Sequence, residues 1–137
     1  MSHARTQIRQ AAVAALDGIA PVSASRVYPI AEADLPVLLV WTNDEEISGG
    51  THGAYARELT LVVEAVARGG FVDDDLDSML VGVERALARN SLGGLCKPIM
   101  PTSIQITIEA GSTPIGRARV SFRATYYTPI GNPESTL

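Results

Sequence analysis

Cysteine and histidine are scarce in this chain of 137 residues. There is one cysteine, Cys96, and there are two histidines, His3 and His52. A single thiol excludes an intramolecular disulfide and a metal site built from several cysteines. Neither histidine lies at a fixed spacing from a second histidine or a carboxylate, as a metal site or a general base would require. We therefore predict no catalytic, cofactor-binding or metal site, and we do not expect an enzyme.

The chain also lacks a long apolar run and an excess of positive charge. No segment reaches the roughly 20 apolar residues of a membrane span. The N-terminus is polar rather than signal-like, so we expect a protein that stays in the cytoplasm where it is made. The net charge of -4 has the wrong sign for a protein that holds nucleic acid by neutralising phosphates. Membrane insertion and sequence-specific DNA binding are both disfavoured.

Two neighbouring segments with different periods dominate the sequence. Residues 55–67 alternate between apolar and polar positions, which predicts a strand with one covered face. Residues 74–90 place Leu76, Met79, Leu80, Val83 and Leu87 on one stripe, which predicts an amphipathic helix. Each element has an apolar face that it cannot bury alone, so the helix is expected to lie on a sheet.

The remaining segments complete a two-layer fold. They predict a first helix over residues 5–16, a short strand at 26–28, a central strand at 35–42 covered on both faces, and a closing hairpin of strands 103–110 and 117–128. The prediction is an α+β fold in the order α-β-β-β-α-β-β, a mostly antiparallel sheet of about five strands with two helices on one face. Residues 1–128 form one domain, and residues 129–137 form a flexible C-terminal tail.

Two acidic clusters interrupt this pattern. The segment 43–53 contains Asp44, Glu45 and Glu46 together with several glycines, and its composition predicts a mobile loop between two antiparallel strands. These acids could hold a divalent cation or simply be solvated. Aspartates at 73–75 and 77 stand at the beginning of the second helix, where they are expected to cap free N–H groups and to favour the positive helix end.

The polar face of the sheet carries three arginines on one strand. Arg117, Arg119 and Arg123 alternate with inward residues, and Glu58, Glu64 and Glu109 occupy outward positions on plausible neighbouring strands. One interpretation is cross-strand ion pairing on a wet surface. The other is an interface with a second copy of the chain, because arginine suits interfaces and charge sets register and partner choice. Both interpretations stay open, and the interface hypothesis includes Asp44, Glu45, Glu46, Arg117, Arg119 and Arg123.

Several stretches follow one another along the chain in a particular order. They are the stretch EADLPVLLVW at 32–41, the acidic segment, the long strand from residue 55 with Glu-Leu near its beginning, the acid-led helix from residue 73, and a closing hairpin that ends in ATYY at 124–127. In this order they resemble the tail terminator proteins of long-tailed phages, the family of the lambda minor tail protein U. The resemblance covers residues 4–128. Its departures are the tail after residue 129 and a longer turn around 92–101.

This resemblance implies a structural role in virion assembly. Such proteins form a hexameric ring that caps the completed tail tube, stops tube polymerisation and presents the surface to which the head's connector or stopper protein attaches. The implied location is the head–tail junction of the virion, after assembly in the host cytoplasm. Acidic segment 43–53 is our candidate for ordering on assembly. A negative or neutral pore would also let genome DNA pass without sticking, which is a hypothesis.

Two other functions remain as alternatives. One is another head–tail neck protein, such as a head-completion or stopper protein. The other is a small oligomeric α+β enzyme or ligand-binding module with its pocket between subunits. Convergent polar groups in a cleft would favour this last alternative.

Overall fold

A computed structural model describes residues 2–24, 35–49 and 51–137. Within these ranges, two α-helices and five strands follow one another in the order α1 (Ala4–Ala15), β1 (Val22–Ser23), β2 (Val37–Gly49), β3 (Ala54–Arg68), α2 (Val72–Leu87), β4 (Met100–Glu109) and β5 (Ile115–Pro129). This is the predicted α-β-β-β-α-β-β order. None of the helices in these ranges is long and apolar enough to cross a membrane.

The strands form one sheet in the order β1-β2-β3-β5-β4. The β2–β3, β3–β5 and β5–β4 pairs are antiparallel, and only the two-residue β1 runs parallel to its neighbour β2. The mostly antiparallel sheet is therefore confirmed, with one parallel edge. The predicted strand at residues 26–28 lies outside the described residues, whereas β1 lies just before it at Val22–Ser23.

Both helices pack on the same face of the sheet, as predicted, because each supplies one apolar stripe. Ala4, Ile8 and Ala12 of α1 are fully buried, as is Leu16 directly after the helix, and the α2 stripe from Leu76 to Leu87 is buried as well. The alternating residues of β3 and β5 meet these stripes. The side chains that fill the centre of this core from the sheet are Leu59, Leu61, Val63, Ala118, Val120, Phe122 and Tyr126.

The beginning of α2 differs from the predicted capping. The helix begins at Val72, its cap position is Phe71, and no side chain makes a capping hydrogen bond there. The aspartates at 73–75 lie inside the first turn, where they can only favour the positive end of the helix. α1 is capped instead by His3, whose Nδ1 accepts a hydrogen bond from the Arg5 backbone N–H at 3.0 Å.

A second, smaller apolar cluster lies on the opposite face of the sheet. It consists of Val37, Leu39, Trp41, Val62 and Val66, all buried. Together with Leu38 and Val40 on the helix face, these residues confirm that β2 is covered on both faces over its first half. The face opposite the helices is therefore apolar near β1 and polar toward β4.

The last residues of the chain contact the N-terminal helix. The Ala4 N–H donates to the Pro133 carbonyl at 2.9 Å, and the Gln7 side-chain amide donates to the Glu134 carbonyl at 2.7 Å. The Leu137 N–H donates to the Tyr127 carbonyl at 2.9 Å. These bonds place residues 129–137 against the domain. The flexibility predicted for this tail stays a prediction.

Candidate functional site

The polar face of the sheet, opposite the helices, brings the predicted arginines together with one glutamate. Arg119 lies directly across from Glu64 in the β3–β5 pair, and Arg117 lies two residues earlier on β5. The Arg119 Nε is 3.4 Å and the Arg117 Nη1 is 3.5 Å from the same carboxylate oxygen, Glu64 Oε1. Cross-strand ion pairing is thus present. One carboxylate between two guanidinium groups leaves a net charge of +1 at this point.

The burial of Glu64 was not expected from the sequence. Its alternation with apolar residues predicted an outward, solvated position, but its side chain is only 3% exposed, whereas those of Arg117 and Arg119 are 41% and 52% exposed. A buried carboxylate requires a partner, because desolvation of an unpaired charge costs several kcal/mol. The two arginines therefore hold Glu64 while keeping much of their own surface in water.

Trp41 forms the floor of a cleft beside this ion pair. The Arg119 guanidinium carbon lies 5.4 Å from the centre of the Trp41 ring, a cation–π distance. The cleft has a volume of about 340 Å³ and opens to solvent. Its lining residues are Trp41, Asn43, Val62, Glu64, Gln105, Arg117, Arg119 and Ser121.

Arg123, the third predicted arginine, is exposed on the same face and lies across from Thr60. A smaller cleft of about 150 Å³ connects it with Glu46 and Glu58. The polar face thus continues from Arg117 at one end of β5 to Glu46 on β2. Of the six residues predicted for an interface, Glu46, Arg117, Arg119 and Arg123 line clefts on this face.

The acidic segment is not the mobile loop that its composition predicted. β2 continues to Gly49 and β3 begins at Ala54, so most of the segment pairs with β3 as a long hairpin. The register slips between Thr42 and Glu45, which is where the chain accommodates the extra residues of a bulge. Gly49 at the end of β2 and Gly53 before β3 both have positive φ, which glycine adopts without strain.

The bulge separates the three acids. Asp44 and Glu46 are exposed, but the Glu45 side chain is 4% exposed and points to the helix face. There Glu45 accepts a hydrogen bond from Arg57 Nη1 at 3.0 Å and another from the Tyr126 hydroxyl, and Arg5 of α1 lies 3.8 Å away. Burial and the Glu45 carboxylate raise the pKa of Tyr126 well above its usual range.

We call this group of Glu45, Arg57, Tyr126 and Arg5 the Glu45 cluster. Arg57 is 7% exposed, and its Nε also donates to the Thr128 hydroxyl at 2.9 Å. The cluster ties α1 to the far end of the hairpin. The alternation of β5 correctly predicted that Tyr126 points inward. No pattern in the sequence predicted that Glu45 would contact residues 5, 57 and 126. In the described ranges, no three histidine, cysteine or acidic side chains come together as metal ligands.

The edge of the sheet at β4 is the most exposed regular element. All ten residues of β4 are exposed, and among the described strands it pairs with β5 alone. Ile104, Ile106 and Ile108 point to the helix face but lie beyond the helices, with 46%, 50% and 39% of their surface exposed. The sequence predicted that these isoleucines share a face, and the structure adds that nothing in the described chain covers them.

Comparison with known proteins gives a fold and no family. No protein-family model matches this chain, and no curated protein matches it. Among solved structures, the chain is similar to one from the virion of a native gene transfer agent particle, with a TM-score of 0.57 and 18% sequence identity. The match covers 92% of this chain and 92% of that chain. At this level of identity, the finding is that the two chains share a fold from end to end.

Proposed function

We propose that this chain is a structural protein of a phage-like virion. The observation that carries the proposal is the shared fold with a chain of the gene transfer agent virion, which extends over 92% of both chains. A fold alone can host many functions. The proposal gains support from surfaces suited to assembly, namely a long exposed edge strand and a polar face with two clefts.

The specific role we propose is that of a tail terminator. In this role, copies of the chain close into a hexameric ring on the end of the completed tail tube, stop its polymerisation and offer the attachment surface for the connector or stopper protein of the head. The order of elements and the acidic segment, which resemble that family, support this role. The protein would act at the head–tail junction, after assembly in the host cytoplasm, and genome DNA would pass through the ring.

The surface chemistry suits a subunit that is soluble before it assembles. A closed ring of identical subunits requires two different, complementary surfaces on each copy. The Glu45 cluster and the ion pairs of Arg117 and Arg119 with Glu64 give both buried carboxylates their partners within one chain. The exposed charges that remain, such as Asp44, Glu46 and Arg123, give salt-sensitive contacts between copies.

The test is the size of the assembly and what it binds. Light scattering behind size exclusion, across protein concentration and with or without magnesium, measures the mass, and electron microscopy of the heaviest species gives its shape. We expect a closed ring, alone or on added tail tubes. Binding to a purified portal complex but not to tubes would instead assign another neck protein. A chain that forms neither a ring nor a complex with either partner would refute the proposal.

A ligand-binding module is the second candidate, and the Trp41 cleft favours it. The cleft combines an aromatic floor with two arginines and a glutamine, which is the kind of convergent polar lining that a small acidic ligand requires. Native mass spectrometry of the purified protein tests this candidate. A bound metabolite of constant mass, lost from an Arg117→Ala variant, would support it over the structural role.

A further inference from the structure

The two edges of the sheet, at β4 and at the second half of β2, are complementary. At one edge lies β4, whose stretch 103–109 has the sequence SIQITIE and carries one charge, Glu109, at its end. At the other edge, the two residues of β1 pair with Leu38 and Leu39, so among the described residues the second half of β2 extends past this strand. In that half, Asp44, Glu46, Ile47, Ser48 and Gly49 are all exposed.

We infer that β4 of one copy pairs with the second half of β2 of the next copy, so that the sheet continues from subunit to subunit around the ring. The inference rests on the proposed ring and names the contact that closes it. The partner of β4 is therefore a second copy of this chain.

Edge chemistry provides the first argument. Natural proteins protect long edge strands with lysines, prolines, bulges or inward charges, because an open edge is a template for pairing. In β4, the one proline and the one register shift lie at its beginning, at Pro101, and leave 103–109 regular. A stretch of seven residues with high strand propensity and one charge is also prone to aggregation when it stays open. A partner strand removes both problems.

Strand direction provides the second argument. β2 is antiparallel to β3, β3 to β5, and β5 to β4, so three reversals make β4 antiparallel to β2. A copy rotated about an axis along the strands presents its β2 in the same direction as the first copy's β2. Its β2 therefore meets β4 in the antiparallel arrangement, which is the more stable pairing.

The two faces of the sheet provide the third argument. On the helix face, the exposed Ile47 of β2 would join Ile104, Ile106 and Ile108 of β4. On the opposite face, Glu46 would stand beside the uncharged Gln105 and Thr107, with the β5 arginines behind them. Two strand spacings amount to roughly 10 Å, which a glutamate and an arginine can span together. Apolar side chains thus meet apolar ones on one face, and on the other face Glu46 comes within reach of the β5 arginines.

Cross-linking of paired cysteines tests this contact. In the double variant Ile47→Cys, Ile106→Cys, each ring interface would bring one thiol of β2 near one of β4. Both positions are about half exposed, so the folded subunit tolerates them. The native Cys96 does not interfere, because it is buried and burial raises its pKa to about 11. Ile104→Cys and Ile108→Cys in place of Ile106→Cys cover the two neighbouring registers.

The matched control is Ser48→Cys, Ile106→Cys. It moves one thiol by a single residue and hence to the opposite face of the strand. After mild oxidation, we expect a ladder of cross-linked chains on a denaturing gel for one of the three isoleucine pairs. The control should give about tenfold less product, because a disulfide requires Cα atoms within roughly 7 Å and converging Cβ atoms.

The possible outcomes separate this inference from the proposed function. Rings in the electron microscope, with no ladder from any of the three pairs, would overturn the β4–β2 contact and leave the ring intact. Dimers from Ile106→Cys alone would show β4 pairing with β4 and would also overturn it. A chain that stays monomeric throughout would overturn both the contact and the ring.

Discussion

Gly116→Ala tests the close approach of α2 to the sheet. Gly116 of β5 is buried under the beginning of the helix, and a Cβ at this position would lie 2.6 Å from Val72 Cγ2 and 2.8 Å from Leu76 Cδ1. Carbon atoms pack at about 3.5–4.0 Å, so the added methyl is about 1 Å too close to both. Val72 is stiff because it is β-branched, and Leu76 is fully buried, so neither can move away freely.

We expect Gly116→Ala to lower the free energy of unfolding by about 1–2 kcal/mol. Overpacking of this kind costs about 1–3 kcal/mol, and replacing glycine recovers about 0.4–1 kcal/mol through the unfolded chain. For a domain of this size, the melting temperature should fall by roughly 3–5 °C for each kcal/mol. Urea denaturation followed by circular dichroism measures the change.

Gly111→Ala is the matched control for this substitution. Gly111 lies in the β4–β5 turn, its added Cβ would meet nothing within 4 Å, and its φ is not positive. It should raise the unfolding free energy by about 0.4–1 kcal/mol, because it makes no clash and gains only the term from the unfolded chain. A double-mutant cycle with Val72→Ala tests whether the clash with Val72 is the cause. In the Val72→Ala background, Gly116→Ala should lower the unfolding free energy by less. Equal stability of Gly116→Ala and the parent chain would show that the added methyl does not clash with Val72 and Leu76.

Three further predictions concern charge. Arg123→Glu should weaken ring assembly without lowering the unfolding free energy of the subunit. Arg119→Glu should weaken assembly and also lower the unfolding free energy by about 1–3 kcal/mol, because it places a second carboxylate beside the buried Glu64 and leaves only Arg117 to pair with it. Burial and the nearby Arg5 lower the pKa of His3, whose neutral ring caps α1. The neutral form therefore contributes stability above the ordinary pKa of histidine, and this stability is lost as the pH falls through the lowered pKa. His3→Asn should remove this part of the loss of stability in acid. Burial and the Glu45 carboxylate raise the pKa of Tyr126. Its protonated form therefore contributes stability below about pH 10, and this stability is lost as the pH rises through the raised pKa. Tyr126→Phe should remove this part of the loss of stability at alkaline pH.

Each of these predictions has a result that would contradict it. Assembly of Arg123→Glu at the parent's concentration and salt would remove Arg123 from the interface. For the two titrations, unfolding free energies are measured across pH in the parent and the variant. If the unfolding free energies of His3→Asn and the parent change in parallel below pH 6.5, His3 does not contribute to the loss of stability in acid. Parallel curves for Tyr126→Phe and the parent above about pH 10 would likewise show that Tyr126 does not contribute to the loss of stability at alkaline pH.

Periodicity predicted α1, α2 and β5 well because each of them buries a single stripe or face. β3, which alternation predicted to have one covered face, is instead buried on both faces from Leu61 to Ala67. The alternation of β3 and β5 and the stripe of α2 specify which side chains meet, and the core at Leu61, Val83 and Phe122 follows from them. The boundaries of β2 did not follow. Its acids and glycines have the composition of a loop, and only pairing with β3 over the full hairpin makes residues 45–49 a strand.

The polar site was predictable in its residues but not in its burial. Strand register places Arg119 across from Glu64, and alternation alone put both on the same face. The degree to which Glu64 is covered depends on how its neighbours pack, which no local pattern encodes. The Glu45 cluster was out of reach for a similar reason: the bulge after Thr42 changes the face to which Glu45 points, and composition does not locate bulges.

Trp41 gives the chain a built-in optical reporter. It is the one tryptophan in the sequence, and it lies under the Arg119 guanidinium in the cleft of the polar face. We expect a partner that moves the Arg119 side chain to change the emission of Trp41. Stopped-flow fluorescence of the unlabelled protein could follow the kinetics of association without a dye, and an Arg119→Lys variant would show how much of the signal arises from the stacked guanidinium rather than from the cleft itself.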